Sequence, residues 1–243
     1  MRYMVRRCFR LLVAIPVALC LAPLPDALAA NGLDYTYVEV GYAIDSTAEV
    51  YGQAYDSDSS LRAIASYLVN RHLFVSAQYY DSDDYDFESL DDYGVDYRVS
   101  GYSLGLGYRS RLGGERAMPT DWFVELSYEH IATHSNVHEV DYTADHDGAG
   151  LKFGIRTAVT ERVELSFEAC EQSYGSDLLT RHGPVNGLSF ELGAVVKLGD
   201  RVRLTAAYKT GELDYALLAN YPKRWDIEVD RDEVIVGVRW SFH

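Results

Sequence analysis

Four histidines, His130, His134, His138 and His146, crowd one stretch of this 243-residue chain. Imidazoles four positions apart meet on one face of a helix and could hold zinc. Here His130 falls in an alternating, strand-like run and its neighbours lack helical periodicity, so solvated side chains are the expectation. A second group is acidic, Asp81-Ser82-Asp83-Asp84-Tyr85-Asp86. The oxygens of Asp81, Asp83, Asp84 and Asp86 could attract a loosely held Ca²⁺ or Mg²⁺. The stretch lacks the glycine and closing glutamate of an EF-hand loop. Solvation and mutual repulsion that keep a loop extended are the favoured reading. His134-Ser135 offers a base beside a hydroxyl, but adjacent side chains of an extended chain point to opposite sides. No cofactor and no catalytic or metal site is expected from these groups.

The elements that must position them are strands. The closing stretch, Glu233 to His243, sets Val234, Val236, Val238, Trp240 and Phe242 on one face. Ile235, Gly237, Arg239 and Ser241 take the other, as alternation along a strand requires. Nine earlier runs repeat the pattern, beginning near Asp34, Ser60, Leu73, Val99, Asp121, Leu151, Val163, Leu188 and Val202. Short connections such as Asn70-Arg71-His72, Thr160-Glu161 and Gly199-Asp200 alternate with long acidic ones. The long ones are placed at Asp45–Ser59, Asp81–Asp96, Thr133–Asp147 and Leu213–Asp230. Ten runs predict ten strands, with eight or twelve as alternatives, and an even number leaves both chain ends on one side of a membrane.

The polar faces decide between a barrel in lipid and one in water. They carry Glu39, Glu125, Glu129, Glu164, Glu168 and Glu191 against Arg62, Arg109, Lys152, Arg156, Lys197, Arg203, Lys209 and Arg239. Opposed charges interspersed with glycine and serine suit a narrow lumen packed by ion pairs and water, with the apolar faces turned to acyl chains. A secreted β-sandwich with one charged, solvated face is the competing architecture. Cys170 falls on a lumen face as an inert small residue.

The chain's beginning is consistent with export. Arg2, Arg6, Arg7 and Arg10 precede an apolar run, Leu11–Leu21, and Ala27-Leu28-Ala29 supplies the small residues a signal peptidase requires. Residues 1–29 are expected to be a cleaved secretory signal, and 30–243 the barrel domain. The signal carries Arg2, Arg6, Arg7, Arg10 and Asp26, so 18 of 22 basic and 36 of 37 acidic residues remain, a formal charge of −18. That balance argues against a nucleic-acid partner. It leaves a single cysteine, which excludes an intramolecular disulfide. Nineteen of the 20 tyrosines lie beyond the signal, the residue favoured in interfacial girdles.

The spacing Gly237-x-x-Trp240-x-Phe242 resembles the C-terminal signal that marks bacterial outer-membrane barrels for insertion. Ile235 stands where that pattern usually has a polar residue, and His243 follows the usual terminal aromatic. The opening TYVEVGYA, the glycine-alternating SLGLGYRS and the ending VGVRWSF resemble the small outer-membrane barrels typified by the OmpA transmembrane domain and OmpX. The opening repeat and DSDDYDF are similar to the quorum-sensing-associated barrels shed in vesicles. The resemblance implies an outer-membrane location, contact with lipid and lipopolysaccharide, and delivery by periplasmic chaperones and the barrel-assembly machinery. Lipid A deacylases and phospholipases of this membrane place serine and histidine two residues apart, a spacing His134-Ser135-Asn136 does not match. Omptin proteases use paired aspartates with an Asp–His couple on the rim to activate water, and Asp81, Asp83 and Asp84 with Asp145-His146 could be arranged into something similar. A non-enzymatic structural or surface-interaction role is therefore expected, with a narrow channel as the alternative and a surface hydrolase as the second.

Overall fold

The computed structural model describes residues 33–50, 53–57, 60–82, 85–86, 95–113, 118–137, 140–175, 185–218 and 224–242. The proposed signal, with Asp83, Asp84, His138 and His243, lies outside them. The strands are β1 (Tyr37–Val50), β2 (Gln53–Ser57), β3 (Ser60–Leu68), β4 (Leu73–Ser82), β5 (Tyr85–Asp86) and β6 (Val95–Leu112). They continue as β7 (Thr120–Val137), β8 (Val140–Ala158), β9 (Val163–Tyr174), β10 (Val185–Lys197), β11 (Val202–Leu218) and β12 (Arg224–Ser241).

Every pairing is antiparallel, and β12 returns to β1, so the sheet closes on itself. Short β2 pairs with β1 beyond β3, and short β5 pairs with β6 beyond β4. Each therefore extends a longer strand, and the wall is a ten-stranded up-and-down barrel. No helix among the described residues is long and apolar enough to cross a membrane. The crossing belongs to the strands.

Alternation decides which side chains face where. On β7, Phe123, Glu125, Ser127 and Glu129 are buried inside while Leu126 and Tyr128 lie on the exterior, Leu126 64% exposed. Leu106 and Leu192 on β6 and β10 are each 59% exposed, whereas Glu39 and Arg203 inside are each 2% exposed. Apolar residues on the outside and charges on the inside reverse the arrangement of a water-soluble barrel and match one solvated by lipid.

The strands run further than the sequence pattern suggests. Three of the four connections expected to be long and acidic are largely strand: β1 reaches Val50, β7 reaches Val137, β8 starts at Val140, and β11 and β12 extend to Leu218 and Arg224. Asp81 lies in β4 and Asp86 in β5 rather than in a free loop. Eighteen residues in β6, β7 and β12 give roughly 60 Å of strand, where about 9–11 residues cross the hydrocarbon. Beyond the hydrocarbon the outer face needs no apolar side chains, as exposed Asp145 and Asp147 on β8 show, so apolar alternation stops while the hydrogen-bond ladder continues.

Sharp turns close the other end. Asn70 Oδ1 accepts from the amides of His72 and Leu73 at 2.8 and 2.9 Å. Thr160 Oγ1 accepts from those of Arg162 and Val163 in the same way. Gly113 ends β6 with φ 86°, a left-handed conformation that favours glycine.

Candidate functional site

The functional question centres on the lumen. At the short-turn end, the segment ahead of β1 folds across the opening. Tyr35 enters the interior and packs against Phe74, with centroids 5.3 Å apart, and Phe74 meets Phe123 edge-on at 5.9 Å. Leu33 and Leu68 complete this apolar cluster. Room for the two phenylalanines comes from the strands facing them: a Cβ on Gly107 would collide with the Phe74 ring, and one on Gly154 with Phe123. The glycine alternation of β6 is thus a set of seats for large side chains arriving from neighbouring strands.

Two guanidiniums sandwich the Tyr35 ring, Arg109 at 4.4 Å and Arg156 at 4.3 Å from its centroid. Both are neutralised, Arg109 by Asp121 at 2.8 Å and Arg156 by Glu164 at 2.6 Å. Arg203 binds Asp34 at 3.2 Å, and Arg156 also donates to the Asp34 carbonyl at 2.9 Å. Ser66 Oγ donates to the Tyr35 carbonyl at 2.8 Å, tying the segment to β3. Charge-assisted bonds and cation–π contacts of this kind strengthen where water is scarce.

Higher in the lumen the network continues. Arg239 binds Glu39 at 2.8 Å, and Arg62 reaches Glu191 at 2.7 Å and Glu39 at 3.4 Å. Lys152 lies 3.4 Å from Glu125 and 3.9 Å from Glu168. Ser127 donates to Glu129, which also accepts from Gln172 at 3.4 Å. Lys209 stands cross-strand from both Glu191 and Glu233. A cavity of about 130 Å³ remains among these groups, lined by five carboxylates and five cationic side chains, with Cys170 on its wall. It is a small polar chamber.

The other candidates separate. Asp145 is exposed on the outer face of β8, while its neighbour His146 is buried on the inner face. Alternation therefore prevents the pair from acting as one Asp–His couple. The couple that does form is His130 with Asp147, Nδ1 to Oδ1 at 2.8 Å, on the exterior. His130 stacks on Tyr102 at 4.8 Å, and Tyr128 donates to Asp147. Asp81 is held by Arg98 through two bonds of 2.6 and 2.9 Å, so this carboxylate is committed to an ion pair. Among the described residues no group of three or more His, Cys, Asp or Glu is placed to hold a metal ion.

Sequence reasoning did not single out Asp34, Tyr35, Phe74, Phe123 or Asp121 as parts of one assembly. The available signal was an aromatic on an otherwise polar face, as at Phe74 and Phe123. Ile235 is similar: it fills the hole left by Gly41, Ala43 and Ala207. Gly237 stands directly across from Gly41, and Trp240 is exposed on the lipid side.

A closed antiparallel barrel, charged within and apolar without, defines a bacterial outer-membrane protein. The chain belongs to the outer membrane protein beta-barrel domain family, whose model matches residues 13–183. In fold it is similar to neisserial surface protein A, at 15% identity, covering 85% of this chain and 96% of that one, with a TM-score of 0.46. It is similar to the Escherichia coli outer membrane protease OmpT at 9% identity, with 85% and 96% covered and a TM-score of 0.47. The transport unit of the Escherichia coli autotransporter AIDA-I shares 10% identity, with 94% and 97% covered and a TM-score of 0.49. No curated protein matches the chain in sequence.

Proposed function

We propose that this barrel serves the outer membrane as a sealed structural element that presents acidic, strand-built projections at the cell surface, without chemistry of its own. The observation that carries this reading is Tyr35, clamped between Arg109 and Arg156 above Phe74 and Phe123. Side chains and ion pairs occupy the lumen where a diffusion pore would hold water. The projections would meet lipopolysaccharide and neighbouring surface molecules, with Ca²⁺ or Mg²⁺ loosely bridging carboxylates to phosphates. Residues 1–29 would direct export, and Gly237, Trp240 and Phe242 would present the closing strand to the assembly machinery. Planar-bilayer recording tests the sealed state: the purified protein should give no conductance steps, and reproducible single-channel steps would overturn it.

A narrow channel is the second reading, favoured by the polar chamber around Lys152 and Arg62. It requires the Leu33–Thr36 segment to withdraw from the opening. In that case the intact protein should switch between silent and conducting levels, whereas a sealed element stays silent at every voltage.

A further inference from the structure

The short-turn rim carries a charge pattern opposite to that of the whole chain. Arg71, Arg111, Arg162 and Arg201 are all exposed at this rim, three of them in the β3–β4, β8–β9 and β10–β11 turns and Arg111 at the end of β6, across from Asp121. None of the four guanidiniums forms a salt bridge among the described residues. Lys197 and Arg116 add further cations in the sequence of this rim, against Glu115, Glu161 and Asp200 as the acids of its connections, in a chain of formal charge −15.

Beside each arginine stands an exposed aliphatic residue: Val69 at 51%, Leu112 at 43%, Val159 at 42% and Leu198 at 62% exposure. Trp122, Tyr108 and Trp240 lie on the lipid-facing side near the same ends of their strands, with Tyr108 and Trp122 in ring contact. Aromatic rings of this kind settle at headgroup depth. The turns lie within a few residues of these rings, close enough for an apolar side chain to reach the acyl boundary while a guanidinium meets phosphates.

We infer that these four arginines form a ring at the short-turn rim that binds anionic phospholipid headgroups of the periplasmic leaflet. A guanidinium matches a phosphate with two parallel hydrogen bonds, and four spaced around the rim engage separate lipids. A net negative headgroup is preferred over a zwitterionic one because no headgroup ammonium then competes for the phosphate or repels the arginines. Asn70 and Thr160 tie their turns tightly, and Arg71 and Arg162 in those turns are exposed.

Reconstitution of the signal-free full-length protein in phosphatidylcholine vesicles tests this, with trace spin-labelled phosphatidylglycerol or phosphatidylcholine as probe. Bound probe is read by electron paramagnetic resonance. The wild type should retain phosphatidylglycerol severalfold over phosphatidylcholine, the preference falling at high salt. R71Q/R111Q/R162Q/R201Q should retain the two equally, while R98Q, at the opposite rim, keeps the wild-type preference. Equal retention by the wild type, or an undiminished preference in the quadruple variant, overturns the inference. A preference abolished by R98Q overturns it too, by locating the lipid at the other rim. Should the quadruple variant fail to show heat-modifiable mobility, the four single variants decide. Each should lower the preference partially, and four unchanged values would refute the ring.

Discussion

Arg62 on β3 crosses the lumen to Glu191 on β10, a 2.7 Å ion pair between residues 129 positions apart in sequence. It also reaches Glu39 on the adjacent strand at 3.4 Å. One side chain thereby links opposite walls of the barrel through charges that each wall already needs neutralised.

Removing that link should cost stability more than a surface charge change would. Arg62→Ala leaves Glu39 with Arg239 alone and Glu191 without its strongest partner. Breaking a buried pair from one side typically costs ~3–5 kcal/mol, toward the lower value where water can enter. The readout is the urea midpoint of the vesicle-folded protein. Arg62→Met with Glu191→Gln should recover part of the loss, because no unpaired charge then remains at that position.

The glycine seats predict a steric effect. Gly107→Ala places a methyl group within the Phe74 ring's volume. Overpacking of this kind costs about 1–3 kcal/mol, and Phe74→Leu should relieve it in the double variant. The fraction showing heat-modifiable gel mobility measures both.

Orientation is tested on a single strand. Leu126→Arg puts a cation on the lipid side at a position 64% exposed, and should cost ~2–4 kcal/mol if that position lies near the bilayer midplane. Leu126→Ala should cost far less. Equal tolerance of the two in a vesicle-folding titration would contradict a lipid-facing Leu126.

The plug predicts conductance. Tyr35→Ala removes the ring between Arg109 and Arg156 and should allow brief channel openings in planar bilayers, absent from the wild type. Tyr35→Phe keeps the ring and should stay closed. Openings of equal frequency in both variants would show that the ring does not seal the lumen.

How much of this was legible before folding follows from the range of each interaction. Which residues of a strand share a face depends only on a two-residue period, so the ten runs and their inward and outward sets could be read directly. The lipid side announced itself through leucine, valine and aromatics, and the lumen side through mixed charge with glycine. The upper strands escaped notice because polar residues such as Asp145 on their outer face remove the apolar alternation, while backbone pairing persists between Thr133–Val137 and Val140–Ala144. For the same reason Asp145-His146 read as a couple in a loop but divides between faces in a strand.

By itself, the sequence determined a membrane β-barrel with charges turned inward, because alternation and composition are local properties of the chain. Only the tertiary structure decided that Arg62 meets Glu191, that Tyr35 lodges between two arginines, and that His130 pairs with Asp147. Those contacts depend on strand register and on closure of β12 against β1. Both bring together residues whose separation along the chain carries no trace of their final neighbours.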